Sequence, residues 1–165
     1  MNIETSTESQ ERAARRRRWA AAVGLLLAAP ALWAAKPLPP SPAVAVYPNI
    51  FYAGNENPRQ ALDLYLPKNR TPGVRLPVVV YIHGGGWYRG SKEAGQPWLQ
   101  PLVETGAYAG VAVNYRLAGE APWPAQIHDC KAVIRWIRAQ AVCHGLDPGR
   151  IGVAGGSAGG TLATM

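Results

Sequence analysis

The sequence predicts an α/β domain, a mostly parallel sheet flanked by helices. Three observations carry that reading. Apolar, β-branched runs alternate with a long segment of helical periodicity. One run, Pro77–Ile82, is continuously apolar, as a strand buried on both faces reads. Glycine-rich turns follow directly on two of the runs, His83–Trp87 and Gly155–Gly159. The chain has 165 residues, enough for one domain, and is 48% hydrophobic, enough for a core. Its 18 Gly have no three-residue period and its Cys number two, which excludes collagen-like and disulfide-scaffold classes.

The elements follow in order. Arg15-Arg16-Arg17-Arg18 precedes Trp19–Ala35, which is uncharged and apolar. Residues 1–35 therefore read as a signal peptide for export to the periplasm or beyond, by the general or the twin-arginine route, with an uncleaved membrane anchor as the alternative. Pro30 interrupts the segment, and it is short for a spanning helix. Membrane contact is expected only through this segment. Net charge is +7, but five Arg and three Glu fall in residues 1–35 and the rest is spread thinly. No basic stripe with interleaved aromatics exists, so nucleic acid is not an expected partner.

Residues 36–48 hold five Pro and read as an extended linker, leaving 49–165 as the domain. Ala61–Leu66 alternates and predicts a strand with one solvated face. Trp98–Thr105 reads as a short helix and Tyr108–Tyr115 as a strand. Pro124–His144 is the clearest helix. Ile127, Cys130, Val133, Ile134, Ile137 and Ala141 form its apolar face, while Asp129, Lys131, Arg135 and Arg138 take the other. His144 near its end suits the helix dipole as a cation. Asp147–Arg150 predicts a turn, and Ile151–Ala154 a short strand. Cys130 and Cys143 lie thirteen residues apart on that helix, roughly 20 Å, too far for a disulfide. Both read as buried small hydrophobes.

Two motifs carry chemistry. Gly155-Gly156-Ser157-Ala158-Gly159 is G-x-S-x-G between a predicted strand and a predicted helix. Such a turn holds Ser157 in a strained conformation at the strand end, and the glycines on either side remove side chains that would collide across it. His83-Gly84-Gly85-Gly86-Trp87 follows the most buried strand. Its glycines leave N–H groups bare, as an oxyanion-binding loop requires. The alternative, a phosphate loop, fails: neither G-x-x-x-x-G-K-[ST] nor G-x-G-x-x-G occurs.

With these motifs the chain resembles α/β-hydrolase-fold carboxylesterases of the hormone-sensitive-lipase-like branch. The matching stretches are Leu62–Pro67, Pro77–Gly90, Asn114–Leu117, Pro124–Ala141 and Asp147–Gly160. The resemblance implies Ser157 as the acyl nucleophile and the backbone N–H groups of Gly85, Gly86 and Ala158 as the oxyanion hole. It gives His83, Gly84, Trp87, Gly155 and Gly159 supporting roles. It implies no cofactor and no metal, and a small-molecule or carbohydrate ester as substrate. Gly156 stands where lipase-like members often carry Asp, which tilts the resemblance toward esterases acting on acetylated or feruloylated carbohydrate.

The family's triad continues with an acid and then a histidine, and neither follows Ser157 in these 165 residues. His83, His128, His144 and Asp129 all precede it, none at the expected position. The expectation is therefore the N-terminal part of an esterase, truncated after the nucleophile elbow, incomplete in fold and prone to association through an open strand edge. The competing expectation is an inactive remnant or a binding module.

Overall fold

The structure is a computed structural model that describes residues 36–165, which form one compact unit. Residues 1–35, which the sequence predicts to be an export segment, lie outside the described residues. The elements are β1 (Val44–Phe51), β2 (Ala61–Pro67), β3 (Leu76–Ile82), α1 (Gln96–Glu104), β4 (Ala109–Val113), α2 (Ala125–His144), β5 (Leu146–Gly155) and α3 (Ala158–Ala163). The sheet order is β1-β2-β4-β3-β5. β4, β3 and β5 are parallel. β2 is antiparallel to both β1 and β4, so it alone runs against the other four. This is the predicted sheet, with one reversed strand.

Helix α1 covers one face, where Leu99 and Val103 pack on Tyr65 and Ala112. Helix α2 covers the other, where Ile127, Cys130, Val133 and Ile137 meet Val78, Val80, Val111 and Val113. The residues of α2 recur at three and four positions, so one stripe alone is buried. Gly145, with φ 69°, ends α2 by returning its N–H to the Ala141 and Val142 carbonyls, a left-handed cap that favours glycine.

Several expectations need correction. The Pro-rich segment is a strand from Val44 onward, because prolines at 42 and 48 leave β1 a sheet-edge position. Residues before it are docked rather than free: Gln96 exchanges hydrogen bonds with the Leu38 backbone at 2.8 and 2.7 Å, and Gln100 donates to the Pro39 carbonyl. β2 has no solvated face; its polar Asp63 is buried against Lys92, at 2.8 Å. In β3, Val78, Val80 and Ile82 are fully buried, whereas Val79 and Tyr81 are only partly covered. The predicted 147–150 turn lies inside β5 as a bulge, since Leu76 pairs with Leu146 and Val78 with Ile151. There Asp147 accepts from the Gly149 N–H and from Arg150.

Cys130 is buried but Cys143 is exposed, and both are free thiols. Asp129 is not a solvated charge at the helix start. It is buried, accepts from the Arg116 side chain at 2.7 and 2.9 Å and from Gln60 at 2.8 Å. His144 is not the terminal cation: burial and the Arg70 guanidinium lower its pKa, and Arg70 itself donates to the His144 carbonyl. No helix among the described residues is long and apolar enough to cross a membrane.

Candidate active site

The two glycine motifs meet because β3 and β5 are neighbours in register. Ile82 pairs with Gly155, so the residues that follow each strand leave the sheet side by side. At that edge a Cβ on Gly84 would lie 2.7 Å from the Gly156 carbonyl oxygen and 3.4 Å from Ser157 Cβ. The two loops are therefore in backbone contact.

Ser157 has φ 53° and ψ −120°, outside the regions open to an ordinary side chain. The sharp turn from β5 into α3 imposes this conformation. It persists because the turn is over-determined: Gly159 donates to the Gly156 carbonyl at 2.9 Å and Thr161 to the Ser157 carbonyl at 3.1 Å. The helix seats directly on the end of β3. A Cβ on Gly159 would strike the Ile82 and His83 carbonyl oxygens, so only glycine permits that approach. Ser157 itself is exposed.

The loop after β3 turns back on itself through three consecutive residues with positive φ, Gly85 (115°), Gly86 (63°) and Trp87 (65°). The Gly85 carbonyl accepts from both Tyr88 and Arg89 at 3.2 Å. A Cβ on Gly85 would collide with the Arg89 carbonyl. Among the described residues the N–H groups of Gly85, Gly86 and Ala158 donate to no backbone carbonyl.

The loop is braced from outside. Arg59 donates to the Gly90 carbonyl at 2.8 Å and lies 3.7 Å from Glu120. The Ala118 N–H donates to the Trp87 carbonyl at 2.8 Å. Beneath the loop, the His83 ring stacks on Tyr115 with centroids 4.3 Å apart. Tyr115 donates its hydroxyl to the His83 carbonyl at 3.0 Å. Nδ1 of His83 is 2.7 Å from the Gly84 carbonyl, which only accepts, so Nδ1 carries the proton. Burial lowers the pKa of this imidazole and pushes that of Tyr115 up to about 12. Both are neutral at pH 7. Nε2 of His83 is buried without a partner among the described residues.

The structure thus brings together Ser157, Ala158, Gly84, Gly85, Gly86, Gly155, Gly159 and the braced His83. His128 is exposed and His144 sits at the far end of α2, so neither joins them. No hydrogen bond among the described residues links Ser157 to a histidine or carboxylate. Among these residues no three His, Cys, Asp or Glu side chains cluster as metal ligands would. Sequence reasoning missed Arg59 and the Asp63–Lys92 pair. Arg59 acts from 31 positions away and Lys92 from 29, and no local pattern encodes such partners.

The BD-FAE family model matches residues 62–165. Carboxylesterase NlhH of Mycobacterium tuberculosis is 46% identical over 96 residues, covering 57% of this chain and 30% of that protein. Arylacetamide deacetylase of Bos taurus is 35% identical over 107 residues, covering 61% of this chain and 26% of that protein. Among solved structures, a truncated form of a carbohydrate esterase from gut microbiota superposes with TM-score 0.69 at 31% identity, over 76% of this chain and 44% of that one. Esterase B from Lactobacillus rhamnosis gives TM-score 0.69 at 28% identity, over 93% and 48%. The chain spans less than a third of these curated relatives and less than half of these solved chains. Motif context, sheet order and family match agree: the chain belongs to the BD-FAE family and has the α/β-hydrolase fold, of which it spans a part.

Proposed function

We propose that the protein hydrolyses carboxylic esters through an acyl-enzyme on Ser157. The observation that carries the proposal is the strained Ser157 (φ 53°) abutting a glycine loop whose Gly85 and Gly86 N–H groups donate to no backbone carbonyl among the described residues. Ser157 Oγ attacks the ester carbonyl, the C–O bond to the alcohol breaks, and the acyl group stays on the serine until water removes it. The N–H groups of Gly85, Gly86 and Ala158 take the oxyanion that forms on the way. Losing one such donor typically costs ~2.7–4 kcal/mol of barrier. His83 is spent on bracing the loop through Nδ1, so it is not the base. The acid and the base come from residues other than those described.

The substrate in this reading is an acetylated or feruloylated carbohydrate. Gly156 and the likeness to a carbohydrate esterase support that choice. The arginine-led apolar N-terminus adds export, which cell fractionation checks. A second reading, a non-catalytic binding module, is favoured by the absence of a histidine bonded to Ser157 among the described residues. Acetylation of the chain and of Ser157→Ala by p-nitrophenyl acetate decides between them. One acetyl group on Ser157, absent from the variant, supports the esterase; a folded chain with no acetyl on Ser157 supports the module.

A further inference from the structure

The rim of the site carries large aromatic rings that the core leaves unused. Tyr88, on the loop after β3, is 75% exposed, and Trp123, on the loop after β4, is 56% exposed. Both loops leave the carboxyl ends of the parallel neighbours β3 and β4, the same end at which β5 leads into Ser157. Ligands of open α/β sheets bind at that end. The loops are tied to each other by the Ala118 N–H on the Trp87 carbonyl, and by Arg59, which reaches Gly90 on one and Glu120 on the other. Trp87, the residue before Tyr88, is held with φ 65°, unfavourable backbone for a bulky side chain. An outlier at a loop tip beside a candidate site is where a functional constraint is sought.

We propose that Tyr88 and Trp123 form a stacking platform for a sugar ring on the alcohol side of the ester. This rests on the esterase reading of Ser157 and names the side chains that would select its substrate. The chemistry favours a sugar over an acyl chain. A pyranose has an apolar C–H face and a rim of hydroxyls. It stacks on an aromatic ring with one face and keeps its hydroxyls in water, which suits rings this open to solvent. An acyl chain gains most from an enclosed apolar cleft. One apolar cleft lies on the α2 side of the sheet between Val80, Val113, Ile127 and Leu162. Arg89, exposed beside Tyr88 and in no ion pair among the described residues, supplies donors to the hydroxyls.

The test is a titration of the full chain with xylotetraose and with cellotetraose, neither esterified, followed by calorimetry and tryptophan fluorescence. The expected result is saturable binding of at least one. Tyr88→Ala and Trp123→Ala each weaken it about tenfold, the upper value of an aromatic stacking contact, and Trp123→Phe retains it. Trp98→Ala is the control: that exposed ring belongs to α1 and stacks on Tyr81, not on either loop of the platform. It leaves binding unchanged, as does Ser157→Ala. No saturable binding of either sugar overturns the platform, and so does equal affinity in wild type, Tyr88→Ala and Trp123→Ala. Sugar binding without acetylation of Ser157 by p-nitrophenyl acetate keeps the platform and refutes the nucleophile; acetylation of Ser157 without sugar binding does the reverse.

Discussion

Gly159 and Gly86 are both glycines of the site, yet they are required for different reasons. At Gly159 a methyl group would enter the Ile82 and His83 carbonyls, so α3 must lift off β3. At Gly86 there is open space and only the φ of 63° is unfavourable. Gly159→Ala should therefore destabilise the fold by more than about 2 kcal/mol, and Gly86→Ala by about 1, read as shifts in the urea midpoint. Equal effects would contradict the packing argument. His83 sets a pH dependence. Its folded pKa is lowered by burial, so the unfolded chain binds the extra proton first. Stability is then full above the unfolded value of about 6.5 and falls as pH drops through it toward the folded value. His83→Gln should flatten the slope of unfolding free energy between roughly pH 7 and 5. An unchanged slope would show that other groups carry it.

Elements built from local signals were legible in the sequence. The periodicity of α2, the β-branched run of β3 and the strand–Ser157–helix turn all arise from residues within a few positions of one another. Elements whose character comes from distant partners were not. β1 hid among prolines because its partners on β2 lie 10 (Phe51 to Ala61) to 23 (Val44 to Pro67) residues away. Asp63 looked like the polar half of an alternating strand, although Lys92 buries it. Asp129 looked like a helix-end charge, whereas Arg116 and Gln60 converge on it and join α2 to the ends of β4 and β2. Removing one partner of a buried pair typically costs about 3–5 kcal/mol, because the other charge is left uncompensated. Asp129→Ala should fall in that range by chemical denaturation, toward its lower end since Arg116 remains partly exposed. A loss below about 1 kcal/mol would make the network incidental. Of the candidate site, the glycine motifs were readable, while the Arg59 and Ala118 braces that hold them were not.

On the scale of the whole molecule, the feature that matters is the free side of β5. That strand pairs with β3 alone among the described residues, and Val153 on it is 40% exposed. An apolar cleft of about 100 Å³ runs beside it, lined by Ile134, Leu162 and Met165. Unpaired strand edges flanked by apolar surface recruit other chains. A polypeptide limited to these 165 residues should therefore associate at micromolar concentration, and Val153→Lys should shift it toward monomer in sedimentation velocity. Monomeric wild type would mean that the edge is protected. Such association would leave the chemistry of the site at the carboxyl ends of β3 and β5 in place, since the motifs sit at strand ends and not along the edge.

The central claim concerns Ser157, and trapping its acyl group tests it most directly. p-Nitrophenyl acetate carries a good leaving group, so a poised serine accepts the acetyl with little help, while its removal by water needs a base. Intact-mass and peptide mass spectrometry after incubation should find one acetyl group, located on Ser157 and absent from Ser157→Ala. Acetylation spread over lysines, unchanged in Ser157→Ala, would contradict the account.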